Sequence, residues 1–237
     1  MQESTAAVRS PQAIASSESP VAAQRLLSLD VFRGGTIAAM ILVNNPGTWT
    51  AVYPPLEHAA WHGWTFTDLV FPFFLWMVGV SVTFSFAKRI ANGDDKRRLW
   101  VHVLRRSFLI FAIGLLLNLI PYFRFDTVRI PGVLQRIGIC YLVAASIFLF
   151  SNARQRIGWT IALLSSYWLL MMYYPVPGVG AGNLSEEANF AKYVDGLILQ
   201  GHMWAQSRTW DPEGIISTLP AIATVLFGIF AGEILRT

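Results

Sequence analysis

The chain has 237 residues, of which 54% are hydrophobic and 14% are charged, and it carries a formal net charge of +4 at neutral pH. The charged fraction is well below that of an ordinary soluble domain, which excludes a typical water-soluble globule. The single cysteine excludes a disulfide framework and a thiolate metal cluster. The class that remains is a multi-span membrane protein.

Apolar runs divide the chain into a tail and a membrane domain. Residues 1–24 are rich in Ser, Ala and Pro and predict a disordered tail, and residues 25–237 form the predicted transmembrane domain. A helical span needs roughly 20 mostly apolar residues. Six segments qualify: 27–45, 66–87, 101–120, 131–150, 157–174 and 215–235. The sequence therefore predicts an all-α, polytopic membrane helix bundle with about six transmembrane helices.

The basic residues predict which way the bundle is oriented. Twelve of the 18 Lys and Arg residues lie on the side of the tail, counting the tail, the connections, the start of the third span and the residues after the last span, and four lie on the opposite side. Because positive charge is retained in the cytoplasm, we expect both termini to be cytoplasmic. Basic residues placed in this way indicate topology, so no nucleic-acid partner is expected. The opposite side, called here the far side, carries the two longer polar segments, 46–65 and 175–214.

Two histidines and an aspartate surround the start of the second span. His58 and His62 would share one helix face, which is half of a zinc site, but no third ligand accompanies them and no metal is expected. Acid–base catalysis needs only one imidazole, and His58 fits that role as well as it fits a surface histidine. Asp68 either stabilises the helix start or orients a nearby histidine, and both roles are compatible.

The first span carries polar residues at both ends. Asp30 and Arg33 lie three residues apart at its cytoplasmic entrance, where they form either a structural ion pair or, through Arg33, a contact to an anionic ligand. Asn44 ends the span and either caps the helix or presents its amide at the far surface.

Further polar residues enter later spans from the far side. Gln135 and Arg136 lie near the start of the fourth span, and we expect Arg136 to point into the bundle because lipid exposure is costly. Asp211 and Glu213 precede the sixth span, with His202 in the same loop. Nine candidates therefore share the far face: Asn44, His58, His62, Asp68, Gln135, Arg136, His202, Asp211 and Glu213. A single polar site at that surface explains them together.

Five stretches at these residues carry a family resemblance. They are SLDVFRG (28–34), VN (43–44), HAAWHGWTFTDLVFPFF (58–74), PGVLQRI (131–137) and DPEGIISTLPAIAT (211–224). In this order the sequence resembles the transmembrane acyltransferases related to heparan-α-glucosaminide N-acetyltransferase and their bacterial homologues.

The resemblance implies transfer of an acetyl group from acetyl-CoA, presented from the cytoplasmic side, to an amino sugar or glycan on the far side. It places a catalytic histidine in the H-A-x-W segment, which falls on His58, and an active-site asparagine in the V-N segment, which falls on Asn44. His58 then acts as a base or carries the acetyl group itself, so a ternary complex and a ping-pong route both stay open.

The sequence also departs from the family pattern. His62 replaces an asparagine of the animal enzymes, so its role is not inherited. Family members usually continue into further spans, which predicts that this chain is the N-terminal part of a longer family domain. The animal members carry a preceding lumenal domain that is absent here, which favours a bacterial inner-membrane homologue with a cell-wall or recycled amino sugar as acceptor.

Two other functions are compatible with charged residues within and beside the spans. One is a transporter for a small polar solute, although we find no internal repeat of the kind such proteins show. The other is a non-catalytic membrane fragment that binds a partner. The sequence leaves open whether the protein forms a homodimer in the lipid bilayer.

Overall fold

The regular structure is helical throughout the described range. The computed structural model describes residues 27–236, so the predicted tail lies outside the described residues. The helices are α1 (Leu27–Asn44), α2 (Phe66–Ala91), α3 (Lys96–Leu119), α4 (Val133–Phe150), α5 (Ala153–Tyr173), α6 (Phe190–Ile198) and α7 (Thr218–Ile234), with a short 3₁₀ turn at Pro54–Leu56. Within this range, extended pairing is limited to an isolated bridge between Val176 and Gly180. The predicted all-α class is confirmed.

All six predicted spans form helices, but they differ in their capacity to cross a membrane. Four of them, α1 to α4, are long and apolar enough. The apolar α7 has 17 residues, and α5 carries polar Ser165 and Ser166 near its middle. The short α6, inside the polar segment 175–214, is a helix that hydropathy did not predict. The chain is a polytopic membrane helix bundle whose clearest spans are its first four helices.

Polar caps set helix starts that hydropathy misplaces. Asp95 accepts a hydrogen bond from the backbone N–H of Arg97 at 3.3 Å, so α3 begins five residues before the predicted span. Asn152 and Gln155 exchange hydrogen bonds of 2.9 and 3.0 Å in a capping box that starts α5 four residues early. Both helices therefore extend into the basic connections next to the spans.

The tightest helix contact joins α2 to α7 through glycine. A Cβ atom built on Gly79 would lie 2.0 Å from the carbonyl oxygen of Val225, and one built on Gly228 would lie 2.0 Å from that of Trp76. Thr83, one turn after Gly79, donates to the carbonyl of Ile229 at 3.2 Å. Residues later in α2 contact residues later in α7, so the two helices are parallel and begin at the same end of the bundle.

Helices α3 and α4 pack against each other in antiparallel orientation. Ser107 donates to the carbonyl of Gly138 at 2.6 Å, and Trp100 donates from Nε1 to Oγ of Ser146 at 3.0 Å. The end of α3 therefore meets the start of α4.

An ion pair near their ends shows how α5 and α7 are oriented. Arg156, in the first turn of α5, pairs with Glu233 near the end of α7, so these two helices are antiparallel. The starts of α2, α4 and α7 and the ends of α3 and α5 thus share one end of the bundle, called here the polar end. The buried core between α2, α4 and α7 separates it from the opposite end.

We expect Gly228→Ala to destabilise the protein, because the new methyl group would overlap the backbone of α2. Overpacking of this kind costs about 1–3 kcal/mol. Gly158→Ala is the matched control, since Gly158 lies in α5 and a Cβ atom added there would meet no described atom within 4 Å beyond the adjacent backbone of its own helix. Thermal unfolding in detergent should show a lower midpoint for Gly228→Ala than for Gly158→Ala. Equal midpoints would contradict the close backbone contact.

Candidate active site

His58 and Asp68 form a hydrogen-bonded pair at the polar end. Nδ1 of His58 donates to Oδ1 of Asp68 at 2.6 Å. Asp68 is the third residue of α2, and its Oδ2 accepts from the backbone N–H groups of Thr65 at 2.8 Å and Ala59 at 3.1 Å, and from the Thr65 hydroxyl. Asp68 therefore caps the helix and orients the histidine at once, as the sequence allowed.

The geometry of this pair suits proton transfer. With Nδ1 donating to the carboxylate, Nε2 of His58 keeps its lone pair, and the side chain is 69% exposed. A carboxylate in this position fixes the tautomer of the imidazole and stabilises its protonated form. The pair can therefore take a proton from a group that approaches the polar end.

A buried ion cluster lies at the start of α7. Arg129, in the α3–α4 connection, binds both carboxylate oxygens of Asp211, at 2.8 and 2.6 Å, and also contacts Glu213. Burial alone would lower the pKa of Arg129, but its bonds and attraction to these carboxylates raise the pKa above its ordinary value. Burial raises the pKa of Glu213, although Arg129 opposes that effect. The cluster joins two segments that are 82 residues apart.

Asp195 of α6 also forms hydrogen bonds to the turn that contains Asp211. Its oxygens accept from the backbone N–H groups of Asp211 at 3.3 Å and Ile215 at 3.0 Å. A Cβ atom on Gly214 would lie 2.1 Å from an Asp195 oxygen, so only glycine fits there. Burial raises the pKa of Asp195, with the two backbone hydrogen bonds acting in the opposite direction.

Gln135 and Arg136 are both buried in the first turn of α4. Arg136 points into the bundle, as expected, where it donates to the carbonyl of Gly214 at 3.1 Å and to the hydroxyl of Ser217. Within the described part of the chain, its Nε and the Nε2 of Gln135 are buried without a hydrogen-bond partner. Arg136 therefore ties α4 to the start of α7.

His202 has a structural contact away from His58. Its Nδ1 bonds the carbonyl oxygen of Val128 at 2.8 Å, and its own carbonyl accepts from Ile130 at 2.9 Å. Both contacts join the α6–α7 loop to the α3–α4 connection.

Three indoles connect the His58 segment to the ion cluster. The rings of Trp61 and Trp210 have centroids 5.3 Å apart, and those of Trp204 and Trp210 are 6.0 Å apart. Trp204 donates its backbone N–H to Asp211 at 2.9 Å, and Trp61 donates from Nε1 to the carbonyl of Leu184 at 2.8 Å. The indole cluster (Trp61, Trp204 and Trp210) therefore links the segments before α2 and before α7.

Two predicted site residues have local contacts only. Asn44 donates its side-chain amide to the carbonyl of Met40, one turn earlier in α1, at 2.8 Å. The ring of His62 lies beside Trp61, with centroids 6.5 Å apart. Hydrogen bonds within residues 27–236 do not join Asn44 or His62 to the His58–Asp68 pair.

A separate cavity of about 460 Å³ lies between α1, α2, α3 and α4. Arg33, at its wall, pairs with Asp30 at 3.2 Å and donates to Ser81 at 3.2 Å. Arg106, also at the wall, lies over the Tyr141 ring at 5.3 Å from the centroid. The predicted Asp30–Arg33 ion pair therefore exists, and Arg33 also faces a space that could admit a ligand.

Sequence reasoning missed three residues that the structure makes central. In the sequence, Arg129 and Arg106 serve only as indicators of membrane topology, and no pattern singles out Asp195. A cation beside Pro131 on the sparsely charged far side, and an aspartate among apolar residues in 190–198, were the available signals. Within residues 27–236, no group of three or more His, Cys, Asp or Glu side chains is placed to hold a metal ion.

Comparison with known proteins identifies the family. The sequence matches the family model described as "Heparan-alpha-glucosaminide N-acetyltransferase, catalytic" over residues 25–237. The chain belongs to this family. Heparan-alpha-glucosaminide N-acetyltransferase of Mus musculus is 31% identical over 260 residues, and that of Homo sapiens is 33% identical over 258 residues.

The alignments cover the two partners unequally. They include 90% and 89% of this chain but 39% and 38% of the mouse and human proteins, respectively. The chain thus spans about two fifths of the length of these curated relatives. Its described helices and their polar end correspond to part of the family's catalytic region.

We expect Arg129→Gln to destabilise the fold strongly, because it leaves the fully buried Asp211 carboxylate without its cation. Breaking a buried ion pair from one side costs about 3–5 kcal/mol. Arg124→Gln is the control, since its 3.8 Å pair with Asp126 is exposed. Thermal unfolding should separate the two variants clearly, and similar midpoints would show that the cluster contributes little.

Proposed function

We propose that the protein transfers an acetyl group from acetyl-CoA to the amino group of an amino sugar at the polar end, with His58 as the base. The observation that carries this proposal is the His58–Asp68 hydrogen bond in a chain that belongs to an N-acetyltransferase catalytic family. We further propose that the polar end faces the periplasm of a bacterial inner membrane, in keeping with the distribution of Lys and Arg.

The proposed reaction needs one proton acceptor. The amine nitrogen bonds to the acetyl carbon while the thioester C–S bond breaks, and Nε2 of His58 takes the proton that nitrogen loses. The Asp68 carboxylate stabilises the imidazolium that forms, and the proton then passes to the leaving thiolate. Asn44 retains a second amide N–H beside its bond to Met40, and we propose that it donates to the acetyl oxygen.

The cavity beside Arg33 suits the donor. Guanidinium groups bind phosphate oxygens well, and Arg33 and Arg106 supply two of them at one cavity. The remaining lining is mainly apolar, including Phe74, Met77 and Ile110, which suits an uncharged chain between the phosphates and the thioester. Acetyl-CoA held there by its phosphates would present its acetyl group toward the polar end, where Phe74 and Leu134 of the lining lie near the starts of α2 and α4.

We expect His58→Ala to lower acetyl transfer by about 10²–10⁴-fold, which is the usual contribution of a general base. The assay uses purified protein, labelled acetyl-CoA and a panel of amino sugars. His102→Ala is the control, because His102 is an exposed histidine of α3 outside the site. Full activity in His58→Ala would remove the catalytic assignment.

Two further readouts separate the remaining routes. Labelled acetyl-CoA without acceptor, followed by mass spectrometry, would reveal acetyl-His58 if the histidine carries the group. Absence of both acetyl-CoA binding and transfer in folded wild-type protein would contradict the proposed function.

We expect Arg33→Gln and Arg106→Gln each to raise the KM for acetyl-CoA by about tenfold, because each removes a charge-assisted phosphate contact. The KM for the amino sugar should change little. Arg105→Gln is the control, since Arg105 precedes Arg106 but does not line the cavity. An equal rise in all three variants would assign the effect to general surface charge.

A further inference from the structure

A second cavity lies at the polar end, outside the His58–Asp68 pair and the cavity beside Arg33. Its volume is about 430 Å³, and it forms an open groove between the turn at 176–180, α6 and the loop at 203–209. Buried Val176 and Met203 form its floor. Nothing in the proposed acetyl transfer uses this groove.

Two cations line the groove, and neither is paired with a carboxylate of residues 27–236. Lys192 of α6 is half-buried, and neither it nor Arg208 forms a salt bridge with any described residue. One carboxylate, Glu187, lies on the same lining, so the groove is positive overall. Arg208 has a backbone φ of 57°, a left-handed conformation that is unfavourable for arginine. The loop thus holds Arg208 at the groove against a local conformational cost.

Aromatic and exposed apolar residues beside the groove are of the kind found at membrane surfaces. The ring of Tyr174, just after α5, lies 4.4 Å from that of Phe190 and 6.5 Å from that of Tyr193. Such tyrosine-rich clusters are typical of membrane–water interfaces. In the same amphipathic helix α6, Leu197 is 65% exposed and Ile198 is 64% exposed. Tyr193 and Leu197 also line the groove, so one of its walls continues onto this exposed apolar surface.

The geometry points to a binding site for the anionic headgroup of a membrane lipid in the leaflet at the polar end. Lys192 and Arg208 contact the phosphate of the headgroup, and the first carbons of the lipid chains lie along Val179 and Leu197. A water-soluble anion would contact the two cations but would gain no binding energy from the apolar wall. The proposed lipid site does not depend on acetyl transfer, so measurements of lipid binding alone test it.

The groove adjoins the indole cluster. Thr209 lines the groove, and the next residue, Trp210, contacts Trp61 of the His58 segment. Trp210 also donates from Nε1 to Glu186 at 3.2 Å, directly before Glu187 of the groove. A lipid bound in the groove therefore lies next to residues that contact the segment carrying His58, and its binding should change tryptophan fluorescence.

The test measures binding of short-chain phosphatidylglycerol and phosphatidylcholine to the purified chain in neutral detergent, by tryptophan fluorescence and native mass spectrometry. We expect phosphatidylglycerol to bind more tightly. Lys192→Gln and Arg208→Gln should each weaken that binding about fivefold, the usual effect of one cation near an anionic lipid surface. Arg208→Lys should retain it, and Arg124→Gln, on the same side but outside the groove, should bind like wild type.

Three results would overturn the proposal. The first is equal affinity for the two lipids, and the second is wild-type affinity in both glutamine variants. The third is binding of glycerol phosphate as tight as that of phosphatidylglycerol, which would assign the groove to a soluble anion. Circular dichroism of each variant excludes misfolding, and the charge-retaining Arg208→Lys gives a second reading at the same position.

Discussion

The backbone contact between α2 and α7 is the constraint on which the polar end depends. At Gly79 and Gly228 the two helices approach so closely that no Cβ atom fits between them. Membrane helices associate through such small residues because apolar side chains gain little by leaving lipid. Since the pair is parallel, it places the start of α2, with Asp68, and the start of α7, after the Asp211 turn, at the same end. The indole cluster then spans the distance between them.

The two halves of the polar end are held by different physical means. Around the Asp211 turn, Arg129, Arg136 and Asp195 surround a buried backbone with charge-assisted hydrogen bonds, which become strong away from water. Around His58, the contacts are few and the imidazole is exposed. A buried, heavily hydrogen-bonded turn next to an exposed imidazole fits the proposed site, in which supporting residues position a reactive group.

Sequence reasoning predicted the helices well where hydropathy controls them and poorly where tertiary contacts do. α1 matches its predicted span to within one residue, whereas α3 starts early because Asp95 caps it. The nine-residue α6 is too short for a hydropathy criterion. The role of Arg129 depends on Asp211, 82 residues away, and no local pattern encodes that distance. The far-side polar residues can nonetheless be singled out from the sequence, since polar groups in a membrane are costly and need a structural or functional reason.

Side chains of the same type at the polar end differ in the hydrogen-bond partners that their polar atoms have. Asp211 has both oxygens bound by Arg129, accepts two backbone N–H groups and has no exposed side-chain surface, so it is closed to an approaching substrate. Asp68 uses Oδ2 for the helix cap but gives Oδ1 to His58. His202 bonds a backbone carbonyl, which holds a loop, whereas His58 bonds a carboxylate, which stabilises the imidazolium when a proton arrives. The hydrogen-bond partners therefore distinguish a structural histidine from one that can exchange a proton, and among the histidines of the described chain they favour His58 as the proposed base.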